Sequence, residues 1–361
     1  MRKLVPALAL AALVAACGAP AGDATAPASA STAPLSEIAP VSDPRSLTGP
    51  STAALTDSDV DVVVEDPQQQ LPATVVSHDL GGDRKVTVTD TSRVIAMDMS
   101  GSLAATVWGL GFGDRLVARD ISTQFPGVED LPVITANGHS VNSEAVMAAR
   151  PTLIITDGSI GPRDVVEQLR DAGVTVVFVE KDSSFDGAVD TARQVAEALG
   201  APEAGEALAQ RTQDHIDEVK DQIAAIAPAD PDKKLRILFL YIRGASGIYY
   251  MFGESSGATD IAEGLGGIDV ATDEGWEGLT PMTDEAVVKA DPDLILVMTH
   301  GLQSAGGVDG LLEGKPAVGL TKAGKNRRIV DMADADVLSF GPRSGEVLAA
   351  LARAVYAPNA S

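Results

Sequence analysis

Cysteine is almost missing from this 361-residue chain: Cys17 is the single one, which excludes a disulfide framework and any multi-cysteine zinc or iron–sulfur site. Histidine is nearly as sparse, with four scattered residues, too dispersed for a zinc or manganese site. Basic residues are outnumbered, 27 Lys and Arg against 51 Asp and Glu for a formal net charge of −24. Nucleic-acid binding is thereby excluded, because phosphate neutralisation needs clustered cations, and so is docking on anionic lipid by charge alone. No apolar run is long enough to span a bilayer as a helix, and no Gly-x-x-x-x-Gly-Lys-Ser/Thr phosphate loop is present. Aromatic residues make up only 4%. What is there, 45% hydrophobic and 22% charged residues, is the composition of a soluble globular protein with length for two domains.

The chain opens with Met1-Arg2-Lys3, an apolar run over residues 4–13 and the small-residue ending Val14-Ala15-Ala16-Cys17, the pattern of a signal peptide. That ending resembles the lipobox of bacterial lipoproteins, which implies removal of residues 1–16 and a lipid on Cys17 that anchors the chain to the extracytoplasmic face of the cell membrane. Residues 17–83 are rich in Ala, Ser, Thr, Pro and Asp, with Arg45 the sole basic residue before Arg84. Such a segment buries too little apolar surface to offset its chain entropy, so a flexible tether is expected there.

The pattern tightens at residues 74–78 and 85–89, which read as a β-hairpin around a Gly-Gly-Asp-Arg turn. Strand-like runs follow at 94–97, 153–156, 174–179, 236–242, 294–298 and 328–332, separated by helix-patterned segments such as 163–172 and 186–199. This alternation predicts α/β layers. The stretch Ser143-Glu144-Ala145-Val146, followed by Pro151-Thr152-Leu153-Ile154, recurs as Asp284-Glu285-Ala286-Val287 followed by Pro292-Asp293-Leu294-Ile295. Two copies of one helix–strand unit predict two similar lobes. Between them, residues 201–227 are dense in helix formers and stopped by Pro228 and Pro231, which predicts one helix about 40 Å long. The expected divisions are an N-terminal lobe over 84–200, a linking helix over 201–228 and a C-terminal lobe over 229–357, with a ligand cleft between the lobes.

Together these features resemble the class III substrate-binding proteins of ABC importers, which deliver haem, iron-siderophores, cobalamin or metal ions. The resemblance spans about residues 85–357. It rests on the lipobox, the opening strand Arg93-Val94-Ile95-Ala96, the repeat, the linking helix and the Gly264-Leu265-Gly266-Gly267 turn. It implies two Rossmann-like α/β lobes joined by a single long helix, a monomer without enzymatic activity, and an ABC permease with its ATPase subunit as partner.

His139 lies in the glycine-bearing loop Asn137-Gly138-His139-Ser140 before the first repeat helix, where cleft-lining loops occur. Tyr241 and Arg243, two apart on a strand, share a face. Beside a guanidinium, a tyrosinate is a hard anionic ligand for ferric iron, and imidazole suits iron equally well. One ligand from each lobe could hold a haem iron while Arg243 meets a propionate. The blander reading, in which His139 caps a helix, Tyr241 fills core and Arg243 pairs on the surface, stays open. The Asn-Gly-His-Ser and Tyr-Ile-Arg-Gly patterns are similar to those of haem-binding lipoproteins of the HmuT type. That resemblance implies haem b (hemin) as the transported ligand, axial ligands at His139 and Tyr241, support of the tyrosine by Arg243, and cell-surface haem-transfer proteins as donors. Met298 offers a thioether that could pack on the porphyrin, against the simpler reading of core packing. His78, His215 and His300 read as structural or exposed. A ferric siderophore is the alternative ligand, with Arg119, Arg163, Arg243 and Arg343 as candidate partners; cobalamin is disfavoured because only Trp108 and Trp276 offer large aromatic walls.

Binding proteins of this family dock on the permease with one acidic residue per lobe, which the repeat maps onto Glu144 and Glu285. As first-turn carboxylates they equally suit the helix dipoles. A remote enzyme reading comes from Gly253-Glu254-Ser255-Ser256-Gly257, a Gly-x-Ser-x-Gly pattern that would make Ser255 the nucleophile of a serine hydrolase with His300 as its one downstream histidine.

Overall fold

Two mainly parallel sheets with helices on their faces make up the two lobes of this computed structural model, which describes residues 32–79 and 81–358. The expected signal peptide over 1–16 and the lipidation site Cys17 lie outside the described residues. After a short strand β1 (Ser51–Ala53), the hairpin β2 (Ala73–Ser77) and β3 (Arg84–Val88) leads into the N-terminal lobe. There β4 (Val94–Met97) precedes a small hairpin of β5 (Thr135–Ala136) and β6 (Ser140–Val141), followed by β7 (Leu153–Thr156) and β8 (Thr175–Phe178). Strands β4, β7 and β8 are parallel in that order. β4 and β7 are buried along their whole length, as continuous apolar runs in a sheet covered on both faces should be. One face packs Val94, Ala96, Leu153 and Ile155 against the helices Ser102–Val107 and Phe185–Ala198; the other packs Ile95, Met97 and Ile154 against Ser143–Ala149 and Arg163–Asp171.

The C-terminal lobe adds β9 (Arg236–Arg243), β10 (Ile248–Phe252), β11 (Ile268–Asp269), β12 (Leu279–Pro281), β13 (Leu294–Met298) and β14 (Ile329–Met332). Its sheet runs β1-β14-β13-β9-β10-β12, with β11 beside β9; β10 alone runs against the others, antiparallel to both β9 and β12. The sequence repeat is also a structural repeat. The helices Ser143–Ala149 and Asp284–Ala290 are capped by the Asn142 and Thr283 side chains, and each stops at a left-handed residue, Arg150 and Asp291, before a proline. The lobes are joined by the helix Pro202–Ile226.

The tether expected over residues 17–83 is corrected from residue 33 onward. Leu35, Ile38 and Ala53 enter the C-terminal core, β1 pairs in register with β14, and Val41 donates to the Tyr356 carbonyl at 3.1 Å. Val60 then enters the N-terminal core, with Val63 and Val64 packed against it. Val63 N–H donates to Gly109 and Gln70 N–H to Gly200, at 2.8 and 2.7 Å. Gly111 has φ +89°, and a Cβ there would lie 2.1 Å from the Val64 carbonyl oxygen, so only glycine fits. The segment is therefore a strap that crosses from one lobe to the other, a second connection beside the long helix. Low average hydrophobicity misled the sequence reading: a few isolated apolar side chains, each in a ready-made slot, suffice to order the segment.

Arg328 ties this strap down. Its side chain is 2% exposed and donates to the Ser51 hydroxyl and to the Ala354 and Val355 carbonyls at 2.7–2.9 Å. Burial lowers its pKa to about 10, which leaves it charged at neutral pH. Arg328→Ala is expected to cost about 3 kcal/mol of stability by stranding those acceptors, read as a lowered urea midpoint.

Candidate functional site

The strands of both lobes end at the interlobe cleft, and in α/β sheets the carboxyl ends of strands are where ligand-binding loops collect. At the floor the lobes touch. Phe185 and Phe340 meet edge to face at 5.5 Å, the Phe185 N–H donates to Asp260 at 3.1 Å, and a Cβ on Gly257 would come within 2.8 Å of the Ser183 carbonyl. A cavity of about 40 Å³ there is lined from both sides, by Asp98, Ser102, Asp157 and Lys181 against Leu338 and Phe340. A larger hollow of about 1020 Å³ lies on the flank of the N-terminal lobe, between the strap and Trp108, away from the lobe contact; Glu65, Asp66, Asp114 and Arg115 line it.

His139 stands on the turn of the β5–β6 hairpin, where Asn137 and Gly138 take the left-handed conformations that this pair adopts readily. Its Nδ1 lies 3.5 Å from the Ser122 hydroxyl, which donates to the Met99 carbonyl at 2.7 Å. Behind Ser122 sits a buried acidic cluster. Asp98 accepts from the Ser100, Ser102 and Leu103 backbones and from the Ser100 and Ser102 hydroxyls at 2.6–3.2 Å. Asp120 accepts from the backbones of Asp98, Ser122 and Thr123 at 2.7–3.1 Å. Burial and the neighbouring Asp98 push Asp120 up to about 7, and the same two causes raise Asp157.

On the opposite wall, Tyr241 and Arg243 share one face of β9 near its carboxyl end. The Arg243 guanidinium stacks over the Tyr241 ring at 4.5 Å, bonds the Ile242 carbonyl at 2.9 Å and pairs with Asp334 at 3.4 Å. Tyr241 is half-buried, edge-on to Phe252 at 6.2 Å, and its hydroxyl makes no hydrogen bond among the described residues. Register sets Tyr250 directly opposite Tyr241, while Met298 follows the Val297–Leu240 pair and stands beside it. Met298 is 9% exposed and part of the C-terminal core, so it walls the site from below.

The structure brings His139, Tyr241, Arg243 and Met298 to the ends of strands at the cleft. Glu144 and Glu285, both exposed, stand apart on the first turns of the two repeat helices. Arg119 bonds the Thr123 carbonyl at 3.1 Å, and Arg343 pairs with Asp336 at 3.2 Å, so both are engaged within their own lobes; the Arg163 side chain lies outside the described residues. Trp108 packs on Phe125 and Trp276 on the far face of the C-terminal sheet. Ser255 has a left-handed φ of 63° but no histidine among the described residues bonds it, and His300 lies against Asp334 instead. The sequence reading passed over Tyr250 and Asp334. The Tyr249-Tyr250 pair was a visible aromatic signal, whereas nothing local marks Asp334.

Burial, and then the positive charge of Arg243 on the facing lobe, hold the His139 imidazole below its ordinary pKa, so it keeps a free lone pair into mildly acid solution. Arg243→Gln removes the opposing charge and is expected to raise the His139 midpoint, checked by NMR titration of the ligand-free protein.

A family model described as periplasmic binding protein matches residues 99–335. Among solved structures, the heme binding protein HmuT is 37% identical with a TM-score of 0.81, covering 88% of this chain and 100% of that one. Further structures of HmuT carry alanine in place of one arginine, one tyrosine or one histidine. The periplasmic heme-binding protein RhuT from Roseiflexus sp. RS-1 is 32% identical with a TM-score of 0.67, covering 75% and 100%. Curated relatives include the uncharacterized ABC transporter substrate-binding lipoprotein YvrC of Bacillus subtilis, 26% identical over 284 residues, 78% of this chain and 85% of that protein. A cobalamin-binding protein of Halobacterium salinarum is 26% identical over 271 residues, 74% and 70%.

Proposed function

Because the chain belongs to the periplasmic binding protein family, one of substrate-binding proteins and not of enzymes, we propose that it captures haem outside the cytoplasm and delivers it to an ABC permease. The observation that carries this reading is that Arg243 stacks over the Tyr241 ring and also acts by its charge on His139 of the other lobe, which puts an imidazole and a phenol, two side chains able to ligate iron, on opposite walls of the cleft. In this reading the ferric iron of haem b sits between the imidazole and the phenolate. Arg243 balances the negative charge that the tyrosine oxygen carries on iron, and Met298 packs against the porphyrin. The haem-binding relatives, and the arginine, tyrosine and histidine chosen for replacement in HmuT, support the same assignment.

The curated cobalamin-binding relatives favour a second reading. It is the poorer fit, because neither tryptophan lines the cleft floor. A ferric siderophore fits less well too, since Arg119 and Arg343 are already engaged. Glu144 and Glu285 would meet basic residues on the permease, one on each lobe. Residues 1–16 would be removed and Cys17 lipidated, which keeps the protein beside its transporter.

Hemin titration of the full chain in detergent, followed by absorption, is expected to saturate at one site. Outer-shell changes at metal sites cost about 10–100-fold, so loss of a ligand in Tyr241→Ala should weaken binding at least 100-fold on that scale, roughly; a wild-type spectrum equal to free hemin would reject the haem reading. Glu144→Ala with Glu285→Ala should leave that titration unchanged and abolish haem uptake by cells. Unchanged uptake would refute the docking role.

A further inference from the structure

The chain has four histidines. Two are committed elsewhere, His78 lying 3.1 Å from Asp83 and His215 3.2 Å from Glu346. His139 serves the N-terminal wall, which leaves His300. It is the second residue of the helix Thr299–Ser304, directly after Met298 and so at the cleft edge of the C-terminal sheet. Its side chain is 76% exposed, yet it is not unconstrained. Asp334 Oδ1 accepts the His300 backbone N–H at 3.0 Å and lies 3.6 Å from the ring Nδ1, while Asp334 Oδ2 lies 3.4 Å from Arg243. One carboxylate thus spans the imidazole and the guanidinium that stacks on Tyr241. The ring edge that faces the Asp334 carboxylate is Nδ1, which leaves Nε2 as the nitrogen available to a metal.

We propose that His300 is a second haem-iron ligand, at the rim of the cleft, on which incoming ferric haem is first caught; this rests on the haem reading above. The half-buried Tyr241 is reached only by a porphyrin already between the lobes, whereas His300 is open to solvent. Transfer is a ligand exchange: the Nε2–iron bond breaks, the Tyr241 oxygen–iron bond forms, the phenol proton goes to solvent, and the iron stays ferric.

The test removes both inner ligands. The full chain carrying His139→Ala and Tyr241→Ala, with folding checked by circular dichroism, is titrated with hemin. The expected result is residual binding with the absorption and EPR signature of an imidazole-ligated ferric haem, lost when His300→Ala is added and weakened about 10-fold by Asp334→Asn. In stopped-flow mixing, the wild type should pass through an imidazole-ligated species that His300→Ala lacks, with the same final spectrum. A double variant indistinguishable from the triple, or identical time courses for wild type and His300→Ala, would overturn the proposal. A wild type that takes up no hemin would instead overturn the haem reading itself.

Discussion

Everything in this molecule depends on one helix being shared by two cores. Ala204, Leu208 and Ala209 of the helix Pro202–Ile226 belong to the N-terminal core, and Ile216, Val219 and Ile223 to the C-terminal core. At 3.6 residues per turn these positions fall within about 140° of one another around the helix axis, so they form one stripe, and both lobes must lie on the same side of the helix. Facing each other is therefore not a choice left to loops. The strap repeats the constraint at a second place: Arg211 on the helix donates to the Asp61 carbonyl at 2.6 Å, and Arg343 of the C-terminal lobe to the Ser58 carbonyl at 3.2 Å. Two connections, the helix and the strap bonded to it through Arg211, allow the lobes less freedom than one would.

Given that framework, the N-terminal wall raises a question of cost, because Asp98 and Asp120 are buried side by side, with Asp157 half-buried near them. Isolated carboxylates at such depth would be prohibitive. Here they are surrounded by backbone N–H groups of the loops after β4 and around Ser122, which makes the acids the organisers of those loops. Burial nevertheless leaves Asp120 raised to about 7, so a proton taken up there relieves the repulsion with Asp98. An acid with a raised folded pKa gives folding an advantage that is full below its unfolded value and is lost as pH climbs from there to the folded one.

Much of this was legible in the chain. The strands β4, β7, β9 and β13 follow from apolar runs, the long helix from its composition and proline stops, and the two-lobed plan from the Glu-Ala-Val repeat, because these are local signals. The His139 turn was legible for the same reason: Asn137-Gly138 is a turn wherever it occurs. The strap was not, since Leu35, Ile38, Ala53 and Val60 look like noise in an Ala/Ser/Pro/Asp background until the slots that receive them exist. Asp334 was equally silent, because its significance is its distance to Arg243 and His300, residues far from it in sequence.

The two walls of the cleft differ in kind. Tyr241 lies within β9, paired with Tyr250 of β10 and next to Leu240, where the ladder to β13 ends, so its position is set by the sheet. His139 rides on a hairpin of two-residue strands and is steadied chiefly through Ser122. Arg243 links the two, stacking on the ring of the first and adding its positive charge to the burial that holds the second below its ordinary pKa, so a single guanidinium on the stiff wall bears on both.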